Sequence, residues 1–303
     1  MNTRKILVAG SSNTDMVIKT NHFPAPGETI LGGTFLMNAG GKGANQAVAA
    51  ARLGGKVTFI GKVGDDVFGR QAVRLLENEG INVSCISVDP VNPSGVAMIT
   101  VDRKGENSIV VASGANASMN PEDFDRAIPE LDDADFVLMQ LEIPIETVEY
   151  IADLAIQKQK KVVLNPAPAA NLSDELLKKI YLITPNENEA EQLTGIKVSD
   201  EPTALKASRI LQEKGVENII ITMGASGAFF LTKEKSGIIN APEVVAIDTT
   251  AAGDTFNGAL VVALSEGRTI EDAILFANKA ASVSVTRMGA QSSVPFRNEL
   301  ENS

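Results

Sequence analysis

One segment near the C-terminal end of the chain joins a glycine-containing turn, a carboxylate and a helix. It contains Ala252, Gly253 and Asp254 and leads into apolar residues at the spacing of one buried helix face: Phe256, Ala259, Leu260, Ala263 and Leu264. The first turn of a helix carries unpaired N–H groups and the positive end of the dipole, which suit phosphate. Asp254, beside them, is also a plausible helix-capping residue. A phosphate site next to a proton acceptor provides two parts of a small-molecule kinase.

A second glycine-rich segment, Gly40-Gly41-Lys42-Gly43, opens the first long helix pattern. It is not a P-loop, because Gly43 stands where Ser or Thr is required and Leu36 replaces the first glycine. Two interpretations remain, a substrate loop and a glycine-rich helix start with a solvated lysine.

Several polar residues follow predicted strands, where open α/β sheets bind ligands. Asn13 and Asp15 follow the first strand, although both types also form ordinary turns. Glu142 follows another strand, and a surface carboxylate is the competing interpretation. Asn186 and Glu189 have the spacing of a helix capping box.

Short apolar runs alternate with helix patterns along most of the chain, which predicts a doubly wound, mostly parallel α/β sheet with helices on both faces. The predicted strands are Ile6–Ala9, Val57–Ile60, Phe136–Met139, Lys161–Leu164, Leu182–Thr184 and Ile219–Thr222. The predicted helices are Ala44–Leu53, Gln71–Glu79, Ile145–Gln157, Glu187–Leu193, Thr203–Lys214, Thr255–Glu266 and Ile270–Thr286.

Two turn-rich segments interrupt this alternation, Met16–Phe35 and Gly95–Val111. The second resembles a hairpin with its tip at Asp102–Gly105. We expect one domain over residues 1–303, with a small β lid built from two excursions at about 15–40 and 94–112.

Composition excludes several classes of function. The net charge of −11 and a pI near 4.8 argue against nucleic acid as a partner. No run approaches the ~20 apolar residues of a membrane span, and the apolar run at the start is too short for a signal peptide. A single cysteine, Cys85, fits a reducing compartment and a buried strand position. We therefore expect a cytoplasmic protein without membrane contact. The one histidine, His22, excludes a multi-histidine metal site.

Taken together, five segments resemble the signature motifs of the ribokinase-like carbohydrate kinase family, over nearly the whole chain. Besides the two glycine-containing segments, they are Val8–Asp15 (first strand and sugar loop), Asn186–Glu189 (the Asn-x-x-Glu motif) and Thr222–Gly227 (nucleotide loop). The closing Thr286–Pro295 is also similar, and the run Gly-Gly-Lys-Gly-Ala-Asn-Gln points to the ribose-phosphorylating members.

The resemblance implies a role for each matching residue. Asp254 would be the catalytic base, with an anion hole formed by the amides of Ala252, Gly253 and Asp254. The implied sugar-binding residues are Asn13, Thr14, Asp15, Gly41, Lys42, Gly43, Ala44, Asn45, Glu142 and Asp254. The implied ATP-binding residues are Asn186, Thr222, Met223, Gly224, Ala225, Ser226, Gly227, Gly253, Asp254 and Asn278. For Asn278, a helix-surface amide is an equally good interpretation.

Two metal ions are implied in the same way. Mg²⁺ would lie near Asn186 and Glu189, held with the nucleotide phosphates and through water. K⁺ would act as a monovalent activator, with oxygen ligands from Asp248, Thr250, Ser284, Arg287, Gly289 and Ser293.

The implied reaction is ATP-dependent phosphorylation of D-ribose at its 5-hydroxyl. A neutral substrate is expected because Lys19 is the only cation between Asn13 and Phe35 apart from His22, and Arg103 and Lys104 fall on a hairpin tip expected to be exposed. Kinases of 2-deoxyribose, fructose or a nucleoside remain alternatives, with Phe23 and Phe35 as weak base contacts. A non-catalytic sugar-binding regulator is a further alternative. The family also implies a homodimer formed through the lids.

Overall fold

The computed structural model describes residues 5–301, which form thirteen strands and eleven α-helices. The strands are β1 (Lys5–Ala9), β2 (Asn13–Lys19), β3 (Thr34–Gly40), β4 (Lys56–Gly64), β5 (Asn82–Asp89), β6 (Gly95–Val101), β7 (Asn107–Ala112), β8 (Ala134–Met139), β9 (Lys161–Leu164), β10 (Leu182–Ile183), β11 (Asn218–Thr222), β12 (Ala228–Leu231) and β13 (Ser236–Ile239). The helices are α1 (Lys42–Arg52), α2 (Val67–Asn78), α3 (Pro121–Asp125), α4 (Ile128–Asp133), α5 (Ile145–Gln157), α6 (Asp174–Leu177), α7 (Glu187–Thr194), α8 (Glu201–Glu213), α9 (Ala252–Ser265), α10 (Ile270–Ser284) and α11 (Arg297–Glu301).

Nine strands form a large sheet in the order β13-β12-β11-β10-β9-β8-β1-β4-β5. All neighbours from β5 to β11 are parallel, whereas β12 and β13 are antiparallel. The α/β prediction is confirmed, and the six predicted strands are present with small differences at their ends. The sequence did not predict the antiparallel pair β12–β13, because its short apolar runs lack the intervening helices that mark a parallel sheet.

The large sheet is covered on both faces by helices, and each face has its own apolar core. Side chains of β1, β8, β9 and β11 alternate between the two faces, as a strand geometry requires. One face packs against α5 and α8, and the other against α1, α9 and α10. The alternation explains why these short strands consist almost entirely of apolar residues.

Helix α9 differs from the prediction in one respect. Every residue from Asp254 to Ser265 is buried, not only the expected apolar face. The helix is enclosed by α1, α10 and the large sheet, so no side is left for solvent. Of its first residues, Ala252 is half-buried and Gly253 is exposed, so the buried part of the helix begins at Asp254.

The remaining four strands form a small sheet in the order β3-β2-β6-β7. Strands β2 and β6 are parallel and join the two excursions, while β3 and β7 are antiparallel edges. A tight turn at Asp102–Gly105 connects β6 to β7, with the Gly105 amide bonded to the Asp102 carbonyl at 3.0 Å. Residues 13–19, including Asn13 and Asp15, form a strand of this sheet, so the ordinary-turn interpretation is wrong for these two residues.

No helix within residues 5–301 is long and apolar enough to cross a membrane. Cys85 lies on β5 with 3% of its surface exposed, in the buried strand position that was expected.

Candidate active site

A cleft lies between the small sheet and the segments around Asp248 and Gly289. Of the predicted site residues, Asp15, Asp248, Thr250 and Gly289 line it. The cavity has a volume of about 480 Å³. The small sheet contributes Asp15 and Asn38, and the segments around Asp248 and Gly289 close the other side. The first turns of α1 and α9 lie next to this cleft, because the charges of Lys42 and Asp254 both act on Asp15.

The first turn of α9 presents free amides to open space. Within the described chain, the amides of Gly253 and Asp254 make no hydrogen bond, and a Cβ placed on Gly253 would have no atom within 4 Å. The Ala252 amide is different, since it donates to the Thr249 carbonyl at 3.2 Å. Ala251 precedes the helix with φ 58°, in the left-handed region. Two of the three predicted anion-hole amides are therefore available, and the Ala252 amide takes part in a turn.

The Asp254 carboxylate is buried and held by two side-chain amides. Asn45 Nδ2 donates to Oδ2 and Gln46 Nε2 donates to Oδ1, each at 2.9 Å. Burial raises the pKa of Asp254, whereas Lys42 and the two amide donors oppose that increase. The carboxylate therefore lies at the helix start in a fixed orientation, as a proton acceptor requires.

The first turn of α1 is closed by the protein itself. The Lys42 amide donates to Glu142 Oε2 at 3.0 Å, and Ser11 Oγ donates to the same oxygen at 2.5 Å. The Ala44 amide donates to the Ser11 carbonyl at 2.9 Å. Glu142 is half-buried and anchors this turn, so the surface-carboxylate interpretation is wrong for it.

Lys42 lies among four carboxylates that act on its charge. Burial lowers the pKa of its ammonium, but the negative charges of Asp254, Glu142, Glu189 and Asp15 outweigh that effect and raise the pKa above its ordinary value. No carboxylate within residues 5–301 comes within ion-pair distance, 4.0 Å, of Lys42 Nζ. The ammonium is charged and available to a bound anion.

Asn13 and Asp15 face the same cleft from β2. Asn116, buried in the turn after β7, donates to Asn13 Oδ1 at 2.8 Å and accepts the Ser12 amide at 3.0 Å. Desolvation, assisted by the charges of Glu142 and Asp254, raises the pKa of Asp15 to about 6. Thr14 lies between them on the strand, paired with Ala39 and Val96.

The predicted nucleotide-side segments also lie next to each other. Asn186 and Thr222 form a parallel β-bridge, and Asn186 and Glu189 form the predicted capping box, with bonds of 2.8 and 2.9 Å. Met223–Gly227 make the turn from β11 to β12, with Gly224–Ser226 in a 3₁₀ turn. Asn278 is buried, and its Nδ2 donates to the Ile239 carbonyl at 2.9 Å, so the surface-amide interpretation is wrong.

One carboxylate connects the two loops of the predicted potassium site. Asp248 Oδ1 accepts from the amide and hydroxyl of Thr250 at 2.9 and 2.6 Å, and Oδ2 accepts from the Gly289 amide at 2.9 Å. Ser293 is fully buried and donates to the Ala290 carbonyl at 2.8 Å. The Ser284 carbonyl accepts the Arg287 amide at 3.0 Å, and the Arg287 side chain pairs with Glu299. Of these residues, only Asp248 and Gly289 are joined to each other across the two loops by a hydrogen bond.

Arg103 and Lys104 are exposed on the hairpin tip, as expected. Arg103 nevertheless also lines the cleft, together with Lys19, which the sequence did not predict. Lys104 is not among the lining residues.

Three positioning residues were not predicted: Ser11, Gln46 and Asn116. Ser11 and Gln46 stand inside the motifs quoted above, but their partners are 131 and 208 residues away in the chain. Asn116 had no sequence signal, since an Asn near a glycine is common in turns.

Comparison with known proteins gives one consistent result. A family model described as pfkB family carbohydrate kinase matches residues 3–297. The chain is 49% identical over 296 residues to a ribokinase of Haemophilus influenzae, covering 98% of this chain and 97% of that protein. It is 41% identical to a deoxyribokinase of Salmonella typhimurium, covering 96% and 95%. A structure of Arabidopsis thaliana ribokinase complexed with ribose and ATP superimposes with a TM-score of 0.93 at 30% identity, covering 99% and 98% of the two chains. The chain belongs to the pfkB family of carbohydrate kinases.

Proposed function

We propose that this carbohydrate kinase transfers the γ-phosphoryl group of ATP to the 5-hydroxyl of D-ribose, giving D-ribose 5-phosphate and ADP. The observation that carries the proposal is the start of α9, where two open amides lie beside the buried, amide-held carboxylate of Asp254. The relatives named as ribokinases, at 41–49% identity over nearly the whole chain, support ribose as the acceptor.

The chemistry assigns one task to each group. Asp254 accepts the proton of the 5-hydroxyl as its oxygen forms a bond to the γ-phosphorus, while the bond from that phosphorus to the β–γ bridging oxygen breaks. ADP leaves with the electron pair of the broken bond. The Gly253 and Asp254 amides stabilise the negative charge on the transferred group, and Lys42 neutralises the same group from the α1 side.

Sugar recognition follows from unsatisfied polar atoms. Asn45 Oδ1 is buried and has no hydrogen-bond partner within the described residues, so a sugar hydroxyl would supply the missing donor. Asp15 and Glu142 are carboxylate acceptors for further hydroxyls, and Asn13 provides an amide. We propose that the full predicted set forms the sugar side of the site: Asn13, Thr14, Asp15, Gly41, Lys42, Gly43, Ala44, Asn45, Glu142 and Asp254.

The acceptor can be identified by a coupled kinase assay across ribose, 2-deoxyribose, fructose, adenosine and fructose 6-phosphate. We expect the highest kcat/KM for ribose. A preference for 2-deoxyribose would assign the chain to the specificity named for the Salmonella relatives, and a preference for fructose 6-phosphate would show that Lys19 and Arg103 serve a second phosphate. No turnover with any of them would contradict the proposal.

On the nucleotide side, we propose that Thr222–Gly227 and Asn278 hold ATP. Within residues 5–301, no group of three acidic, histidine or cysteine side chains forms a metal cluster. This fits Mg²⁺ that arrives with the triphosphate and keeps most of its waters. Glu189 would contact those waters through the carboxylate oxygen that the capping box leaves unused.

K⁺ is proposed as an activator at Asp248 and the neighbouring loop oxygens. A carboxylate, hydroxyls and carbonyls make an all-oxygen donor set, which suits a hard cation. Because Asp248 connects both loops beside α9, a bound ion would order the backbone next to the open amides. Activity should be higher in potassium than in sodium chloride at equal ionic strength, and equal activity in the two salts would contradict this role.

We propose that the small sheet acts as a lid and that its outer face is a homodimer interface. The pleat and the strand register divide the sheet into two faces. Asp15, Val17 and Ile99 share the face that lines the cleft. The opposite face carries an apolar row across all four strands, together with Ile18 and Phe35: Met37, Met16, Met98 and Val110.

Val110 is 68% exposed and Phe35 57% exposed on that outer face, which is unusual for a contiguous apolar surface. In a symmetric dimer, the outer face of each copy would pack against the outer face of the other, so both apolar surfaces would be covered. Light scattering should give a dimer, and Val110→Lys should give a monomer. A wild-type monomer at working concentration would contradict the proposal.

We also propose a cytoplasmic location, in keeping with a single buried thiol and the need for ATP.

A further inference from the structure

A chain of hydrogen bonds between buried polar side chains, most of them amides, lies beneath the site. One end reaches the Asp254 carboxylate and the other reaches the Gly253 carbonyl. Three of its members directly follow neighbouring parallel strands at their carboxyl ends: Gln140 after β8, Asn165 after β9 and Thr184 after β10. Their exposed fractions are 0%, 7% and 1%. None of them contacts substrate in the mechanism above. Burial of polar groups is costly where a bond is missing, and among these three residues only Gln140 Oε1 has no partner within the described residues.

Gln46 connects this row to the catalytic carboxylate. Its Oε1 accepts from Gln140 Nε2 at 2.6 Å, and its Nε2 donates to Asn165 Oδ1 at 3.0 Å and to Asp254 Oδ1 at 2.9 Å. All three bonds are satisfied in only one orientation of the amide. A flipped Gln46 would place its carbonyl against the carboxylate, which only accepts hydrogen bonds, so the observed orientation is the one that makes all three bonds, including the bond to Gln140.

The other end of the chain reaches the phosphate side. Asn165 Nδ2 donates to the Thr184 carbonyl at 3.0 Å, and Thr184 Oγ1 donates to Asn257 Oδ1 at 2.6 Å. Asn257 Nδ2 in turn donates to the Gly253 carbonyl at 2.8 Å. The same planar peptide group carries the Asp254 amide, one of the two open donors.

We propose that Gln46 is a positioning residue whose buried amide chain, running through Gln140 and Asn165, holds the Asp254 carboxylate in the orientation that accepts the proton. The proposal rests on the assignment of Asp254 as the base. A carboxylate held on both oxygens, by Asn45 and Gln46, cannot turn away from the acceptor hydroxyl. Misplacement of a reacting group by about 1 Å can cost roughly 100-fold in rate.

Several charges face Asp254 and set the background for its titration. The charge of Lys42 favours the ionised form of Asp254, and the charge of Glu142 opposes it. The charge of Asp254 in turn raises the pKa of Asp15 and that of Glu189. The hydrogen bond from Gln46 favours the ionised form. Its loss should therefore raise the pKa of Asp254 further and move the acid limb of kcat to higher pH.

The test compares Gln46→Met with wild type, measuring kcat, KM for the sugar and the pH profile of kcat. We expect kcat to fall about 10- to 100-fold with KM changed less than about threefold, and the acid limb to move to higher pH. Gln140→Met, which does not contact Asp254, should move both quantities in the same direction by a smaller amount. Normal kcat and an unmoved acid limb in folded Gln46→Met would overturn the proposal, and if that variant does not fold, an unmoved limb in Gln140→Met would do so.

A matched control is available at the other edge of the sheet. Asn165 Nδ2 and Asn218 Nδ2 both donate at 3.0 Å to a backbone carbonyl beside β10, and the two residues are 7% and 6% exposed. Asn165→Leu should lower kcat and move the acid limb, whereas Asn218→Leu should only lower stability. Equal effects of the two substitutions would mean that the chain is merely structural. Asp254→Asn separates the two levels, because near-normal turnover in that variant would refute the base itself, whatever Gln46 does.

Discussion

Helices α1 and α9 both begin at glycine-containing turns beside the same cleft, yet their first turns differ in structure. At α1, the amides of Lys42 and Ala44 are bonded to Glu142 and Ser11. At α9, the amides of Gly253 and Asp254 have no partner within the described residues. The first helix start is closed by protein acceptors, and the second is open to a ligand.

The glycines at the two positions serve different physical needs. A Cβ on Gly43 would lie 2.7 Å from Gly10 Cα and 2.7 Å from the Ser11 nitrogen, so Gly43 is required for close backbone packing. A Cβ on Gly253 would meet no atom within 4 Å. A glycine-rich helix start is therefore not sufficient to identify a phosphate site. The first-turn amides must also be free of protein acceptors.

The largest effect is expected for a substitution at the start of α9. Asp254→Asn keeps the size of the side chain but removes the proton acceptor, so kcat should fall on the order of 10³-fold. Binding of ATP and sugar, measured by calorimetry, should remain within a few-fold of wild type. Near-normal turnover would refute the mechanism.

The next effect tests whether the open space at Gly253 is reserved for phosphate. Gly253→Val should fold normally, because no protein atom occupies the space its Cβ enters. Its kcat should fall about 10²–10³-fold, as when a donor to developing negative charge is lost. Chemical denaturation and steady-state kinetics measure the two quantities. A large loss of stability without loss of rate would reverse the interpretation of this glycine.

The corresponding change at α1 should have the opposite pattern. Gly43→Ala forces backbone segments apart and should lower the free energy of unfolding by about 1–3 kcal/mol. Gly237→Ala is the control, since its nearest atom would be a Phe230 ring carbon at 3.7 Å, an ordinary contact. Urea denaturation of both variants gives the difference. If Gly43→Ala were as stable as the control, close packing would not explain this glycine.

The smallest effect concerns pH and the unliganded cleft. The pKa of Asp15 is raised to about 6 from 3.8, so the folded state is favoured below pH 4 and this contribution is lost as pH rises through 6. Asp15→Asn should therefore raise the free energy of unfolding at pH 8 by roughly 1 kcal/mol, a value reduced for partial solvent screening. The difference from wild type should vanish near pH 4. Sugar affinity should fall in the same variant, and a stability difference independent of pH would contradict the assignment.

The sequence predicted the parts of the structure that depend on local pattern. The strands around Val8, Leu138 and Leu164 are short apolar runs between helix patterns, and they form the parallel sheet as expected. The capping box at Asn186 and Glu189 is a four-residue rule and was predicted correctly. Asp254 was found because one turn carries both its carboxylate and the donors.

What the sequence did not predict depends on contacts between distant segments. The Ala252 amide donates to the Thr249 carbonyl because the chain turns at Ala251, and the pattern of apolar residues does not indicate this turn. Arg103 lines the cleft because the β6–β7 turn forms part of its wall. Gln46 carries no signal of its own, since its three partners are 94 to 208 residues away in the chain.

The left-handed backbone conformation of Ala251 affects how the start of α9 would bind phosphate. A non-glycine residue at φ 58° stores strain of roughly 1–3 kcal/mol, which the tightly enclosed α9 sustains. The corner therefore leaves the Gly253 and Asp254 amides without protein acceptors before any nucleotide enters. Glycine in this place would relieve the strain and give the corner freedom to swing, which would transfer the entropic cost of ordering it to the binding step.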